Sequence, residues 1–149
     1  MLPDSIEQFI RLFAKLPALG PRQATRLAFH LVRQGKNTVL ELERRLGALG
    51  MLELCARCFF PYEPRGGANG DEKRCAICAD PARTHTTIAI VEKETDLLSL
   101  EKANTFRGRY LILGEIARDG VLEPEQKLRL QSLKAYIAKE CGGAAAEIV

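Results

Sequence analysis

Four cysteines constrain this chain more than any other feature. Cys55-Ala56-Arg57-Cys58 and Cys75-Ala76-Ile77-Cys78 form two Cys-x-x-Cys knuckles with sixteen residues between them. Two such knuckles can close four thiolates around one Zn²⁺, and a metal enclosed by four protein sulfurs keeps no open position for water or substrate. One structural zinc is therefore expected. The competing reading is a pair of redox dithiols, but a dithiol of that kind sits singly at a helix start beside a βαβ pattern. The fifth cysteine, Cys141, stands far along the chain and reads as a packing residue at a helix end.

A segment stapled by metal needs little apolar core of its own. The whole chain has 149 residues, 46% hydrophobic and 28% charged, a globular composition and not a disordered one. We expect three modules: a helical one over 1–54, the zinc finger over 55–80 and an α/β one over 86–149. No run reaches the ~18 apolar residues that read as a membrane span. The opening Met1-Leu2-Pro3-Asp4 has no basic region of the signal-peptide kind. The expected setting is the cytoplasm, where thiols stay reduced and available for metal.

In the first module, Asp4 or Ser5 can cap a helix carrying Ile6, Phe9, Ile10 and Phe13 at helical spacing. Leu16-Pro17-Ala18-Leu19-Gly20-Pro21 breaks it and starts a second helix with Ala24, Leu27, Ala28, Leu31 and Val32 as its apolar stripe. A third is expected from about Thr38 to Leu54. The charge pattern is pointed here. Residues 1–54 hold eight Lys/Arg against five Asp/Glu, and no acid lies between Glu7 and Glu41. That acid-free stretch carries Arg11, Lys15, Arg22, Arg26, Arg33 and Lys36, an electrostatic footprint of phosphate binding. Gly20 allows a close backbone approach, and Pro21 fits a first helical turn that needs no amide donor. The free amides of that turn would face an anion beside Arg22 and Arg26. This is the logic of a helix-hairpin-helix, which grips DNA by its backbone and reads no sequence. The alternative is an ordinary packing corner between two helices.

In the second module, Gly66-Gly67-Ala68-Asn69-Gly70 reads as a flexible tip. The third module alternates: a strand at Thr87–Val91, a helix from Asp96 to Ala103, a strand at Tyr110–Leu113, a helix from Pro124 to about Lys139, and a strand begun at Ala145–Val149. Such alternation implies a parallel sheet. Glu92 follows the first strand, where parallel α/β sheets place their active residues. Glu115 and Glu147 are the only candidates to join it on a divalent metal, and no Asp-x-Asp pair occurs. Glu94 and Asp96 fit the cap of the next helix. His30 and His85 lack a nucleophile or carboxylate at meaningful spacing and read as structural.

Taken in order, these motifs resemble the RecR family of bacterial recombination mediators over nearly the whole chain. Leu16 to Val32 is similar to the family's helix-hairpin-helix. Cys55 to Pro81 is similar to its zinc finger, including Cys75-Ala76-Ile77-Cys78-Ala79-Asp80-Pro81-Ala82-Arg83. Ile88–Glu92 and Phe106–Leu113 resemble two stretches of its Toprim domain. The resemblance implies an α+β architecture of three modules, the last a partial Toprim-like parallel sheet. It also implies a non-enzymatic adaptor that clamps DNA as a dimer or tetramer and works with RecO and RecF to help load RecA. Lys15, Gly20, Arg22 and Arg26 would then bind DNA, the four cysteines would hold zinc, and Glu92 would contact a partner. The enzymatic alternative is a Mg²⁺-dependent Toprim nuclease or primase-like activity using Glu92. This chain departs from the pattern at Ala18, where the hairpin usually has glycine, in the Gly66–Gly70 insertion, and at Gly114–Gly120, which replaces a glycine-rich loop. It also ends at Val149, where the family would continue into further Toprim strands, which leaves ring assembly and the RecO surface as open expectations.

Overall fold

The computed structural model describes residues 1–64 and 73–149, so the expected tip at Gly66–Gly70 lies outside the described residues. By its internal contacts the chain divides into two compact units, Met1–Met51 and Leu52–Val149.

The first unit is three helices: α1 (Asp4–Phe13), α2 (Pro21–Gln34) and α3 (Lys36–Leu49). Helix α1 starts at Asp4 itself, with Pro3 as N-cap and no side-chain cap, so the expected capping by Asp4 or Ser5 is not used. The single Pro3 carbonyl accepts from the amides of both Ile6 and Glu7, at 2.9 and 3.2 Å. Helices α1 and α2 pack through half-buried Ile6, Phe9, Ile10 and Phe13 and through Ala24 and Ala28, the only fully buried residues of the unit. The small alanines let the two backbones approach. Helix α3 ends at Leu49 and not at Leu54, because the chain after Gly50 is recruited into a sheet of the second unit.

The second unit opens with a short antiparallel pair, β1 (Glu53–Leu54) and β2 (Pro61–Tyr62), which brackets the first knuckle. A single helical turn, α4 (Ala76–Ala79), carries the second. The parallel sheet follows: β3 (Thr87–Val91), α5 (Glu94–Ala103), β4 (Arg109–Ile112), α6 (Pro124–Glu140) and β5 (Glu147–Ile148), in the order β4-β3-β5. Ile88 lies opposite Arg109 on one side and Ile148 on the other. The first strand is thus central, with crossovers leaving to both sides, which makes the C-terminal end of β3 a topological switch point. Strand β4 is buried along its whole length, as a strand covered on both faces must be. Gly108 precedes it because an added Cβ would run into the Thr87 carbonyl and the Phe106 ring.

The core of this unit is continuous across the metal segment and the sheet. Cys55, Cys58, Cys75 and Cys78 belong to the same buried cluster as Ala89, Leu97, Tyr110 and Ile112.

Candidate metal centre and nucleic-acid interface

The four cysteine sulfurs lie within 4.8 Å of one another, and Cys58 Sγ stands 3.5 Å from Cys75 Sγ. Sulfurs bound to one Zn²⁺ at about 2.3 Å form a tetrahedron with edges of about 3.8 Å, so the donor set fits the ion. The spacing is far beyond a disulfide bond, and all five cysteines are free thiols. The four are buried, which leaves no open position on the metal.

Each knuckle is shaped by the backbone. The amide of Phe59 donates to the Cys55 carbonyl and that of Ala79 to the Cys75 carbonyl, both at 3.0 Å, folding each Cys-x-x-Cys into a turn with its sulfurs on one side. Phe59 takes φ +63°, a left-handed conformation that costs a non-glycine residue about 1–2 kcal/mol. Its ring lies under the Arg129 guanidinium at 4.8 Å, an offsetting contact with α6. Crowding splits the thiol titrations. Hydrogen bonds from Cys58, Cys75 and Cys78 push Cys55 down, and its hydrogen bonds with Cys55, Cys75 and Cys78 push Cys58 up. Four thiolates coexist here only around a cation.

The same unit holds buried and half-buried charged pairs that spacing alone did not single out. Arg83, 8% exposed, donates to both carboxylate oxygens of Glu101 at 2.9 and 2.5 Å, and Tyr110 Oη donates to Glu101 at 2.7 Å. Burial tends to raise the Glu101 pKa, but the hydrogen bonds from Arg83 and Tyr110 outweigh it and hold the carboxyl below its ordinary range. Burial, reinforced by Glu101, pushes the Tyr110 phenol up to about 12. Arg57, between the first two cysteines, pairs with Glu140 at 2.5 Å and lies over the Tyr136 ring at 5.2 Å. The first knuckle is thereby pinned to α6. No periodicity flags these residues, because each meets a partner dozens of positions away or on another element.

Glu92 is exposed at the C-terminal end of β3. Its carbonyl accepts from the Gly114 amide at 3.1 Å, which fixes the backbone there. Glu115 pairs with Lys93 at 3.5 Å, and Glu147 lies at the outer strand β5. Among the described residues, the four cysteines are the only group of three or more metal-ligating side chains drawn together.

In the first unit, Gly20 is the N-cap of α2 and Pro21 its first residue, with no side-chain cap on the helix start. Gly20 has extended backbone at φ −79°, and the left-handed turn residue is instead Ala18 at φ +61°. Lys15, Arg22 and Arg26 are exposed. Among the described residues none of the three lies within ion-pair distance of a carboxylate, whereas Arg11 meets Glu7 at 3.5 Å.

Fold and site together define a zinc-stabilised α+β protein, with a helix-hairpin-helix region ahead of a four-cysteine knuckle and a small parallel sheet. The family model "RecR, helix-hairpin-helix" matches residues 6–49. Proteins named "Recombination protein RecR" are similar over most of the chain. The one from Rhodospirillum rubrum is 39% identical over 142 residues, 93% of this chain and 67% of its own length. That from Chromobacterium violaceum is 36% identical over 149 residues, 99% of this chain and 69% of its own. That from Syntrophobacter fumaroxidans is 35% identical over 140 residues, 93% of this chain and 65% of its own. The chain belongs to the RecR family, and it spans about two thirds of the length of these relatives.

Proposed function

We propose that this chain is a DNA-binding adaptor of recombinational repair, without catalytic activity of its own. The observation that carries the reading is the start of α2: an uncapped helix N-terminus beside exposed Lys15, Arg22 and Arg26, which meet no carboxylate among the described residues. Free amides, a helix dipole and mobile cations suit a phosphate backbone. Gly20 keeps that approach free of a side chain. Membership in the RecR family supports the same reading, with RecO and RecF as partners, RecA loading as the outcome and the cytoplasm as the setting. No helix among the described residues is long and apolar enough to cross a membrane.

Assembly as a dimer or tetramer belongs to this proposal. Helix α3 buries no residue of its own, and Leu46 and Leu49 are 56% and 64% exposed, as is Val32 on α2 at 64%. A self-association surface accounts for apolar side chains left in water on so small a unit. Glu92, exposed at the switch point, is assigned to partner contact. For the enzymatic alternative it would need carboxylate company, and Glu115 is engaged by Lys93 instead.

The test is DNA binding by fluorescence anisotropy as a function of salt. Affinity should fall steeply with salt and be insensitive to sequence. Replacing Arg22 or Arg26 with Ala should reduce the log–log salt slope by about 1 each. Unchanged binding by the double variant would remove the hairpin from the account. Mg²⁺-dependent nicking abolished by Glu92→Gln would establish the enzymatic reading in its place.

A further inference from the structure

The buried and half-buried arginines of the second unit are not equivalent. Arg83 has Glu101 at 2.5 Å, Arg57 has Glu140 at 2.5 Å and Arg129 has Glu125 at 2.5 Å. Arg109, the first residue of β4 and 4% exposed, has no carboxylate within ion-pair distance among the described residues. Its Nη1 donates to the carbonyls of Ile77 at 3.3 Å and Cys78 at 2.6 Å. Its Nη2 reaches the Asp80 carbonyl at 3.4 Å and His85 Nδ1 at 3.2 Å. Its Nε is buried without an acceptor among the described residues.

A buried guanidinium facing only neutral oxygens and nitrogens is costly unless a negative charge lies close by. The metal centre is such a charge. Four thiolates around a divalent ion carry a net formal charge of minus two, and Arg109 grips the backbone of one of the four ligands. The carbonyls it holds end the single turn α4, which is too short to satisfy its own last acceptors.

We propose that Arg109 is the positioning residue and counter-charge of the metal centre, locking the second knuckle onto β4 while offsetting the negative charge of the tetrathiolate. The orienting half of this role belongs to its fork of donors, which a lysine cannot reproduce. The electrostatic half belongs to its charge, which a lysine can.

The experiment separates the two halves. Full-length wild type, Arg109→Gln and Arg109→Lys are compared for zinc affinity by chelator competition, and for the Fe³⁺/Fe²⁺ potential after iron is loaded in place of zinc. The double variant Arg83→Gln/Glu101→Gln, which removes a buried cation together with its carboxylate, serves as the control. Arg109→Gln should weaken zinc about 10–100-fold, as loss of a partner that orients metal ligands does. It should also lower the iron potential, because the more negative ferrous centre loses its nearby cation. Arg109→Lys should lose zinc affinity yet keep a potential near that of wild type, and Arg83→Gln/Glu101→Gln, which removes a charge and its counter-charge together, should leave the potential unmoved. Wild-type zinc affinity or an unchanged potential in Arg109→Gln overturns the proposal. If the glutamine variant does not fold, the lysine variant decides alone. A potential near wild type with weakened zinc supports the role, and a large fall in potential, or full zinc affinity, overturns it.

Discussion

The two units solve the problem of a small core in opposite ways. Leu52–Val149 buries Ile88, Leu97, Leu111 and Ile112 almost completely, and Leu97 and Ile112 share one buried cluster with the four cysteines. Met1–Met51 fully buries only Ala24 and Ala28 and leaves long aliphatic side chains in water. A unit that finishes its core internally, with metal and ion pairs, is equipped to be a rigid platform. A unit that leaves its apolar faces open is equipped to meet something else. The charges divide in the same way. In the second unit the buried cations are answered, by a carboxylate or, in our assignment, by the metal centre. In the first, Lys15, Arg22 and Arg26 are exposed and have no carboxylate partner among the described residues.

The sharpest way to break this comparison is to remove the metal. Structural Zn²⁺ contributes about 10–16 kcal/mol to folding in small knuckles at pH 7. Chelation, or Cys58→Ser, should therefore collapse hydrogen-exchange protection across β3, β4 and α6 while α1 and α2 keep theirs. Equal loss in both units would mean that they are not separate folding problems.

Next in size is the buried ion pair. Glu101→Gln leaves buried Arg83 only its longer contact with Asp80 at 3.6 Å and should cost up to about 3–5 kcal/mol in denaturant unfolding. Close behind, Leu111→Ala should cost about 2–5 kcal/mol, since Leu111 is fully enclosed. Leu46→Ala on α3 should leave the unfolding midpoint of the second unit in place and instead shift the proposed oligomer toward monomer in sedimentation. A large destabilisation of the second unit by Leu46→Ala would contradict the division drawn here.

The smallest effect is in pH. Glu101 has a depressed folded-state pKa, so its contribution is complete above the ordinary value of 4.5 and is lost as pH falls below it. Tyr110 is raised from 10.0 to about 12, so its contribution is complete below pH 10.0 and fades as pH climbs toward about 12. Stability of the second unit should therefore decline at both ends, and Tyr110→Phe should shrink the alkaline decline, leaving the smaller part that Tyr62 and Tyr136, also raised, contribute. An alkaline limb of undiminished size in Tyr110→Phe would assign it to another group.

Much of this layout was legible in the residues. The strand Thr87–Val91 stands where its apolar run placed it, and α2 begins at Gly20-Pro21 as the turn chemistry required. Helices alternate with parallel strands as the pattern implied. Local signals failed where a distant partner outcompeted them. The expected helical segment up to Leu54 gives way at Gly50, because Glu53 and Leu54 pair with Tyr62 and Pro61. The expectation that Gly20 is the special turn residue was right about its position, but Ala18 carries the left-handed backbone.

By itself, then, the sequence determined what depends on neighbours along the chain: the two knuckles and their metal, the periodicity of the helices, the acid-free basic stretch and the family. Only the tertiary structure decided which cations remain free and which are spent, since ion pairing is settled across space. It also placed Arg109 on the Cys78 carbonyl, 31 positions away, because a buried guanidinium takes whatever acceptors the packed core brings to it.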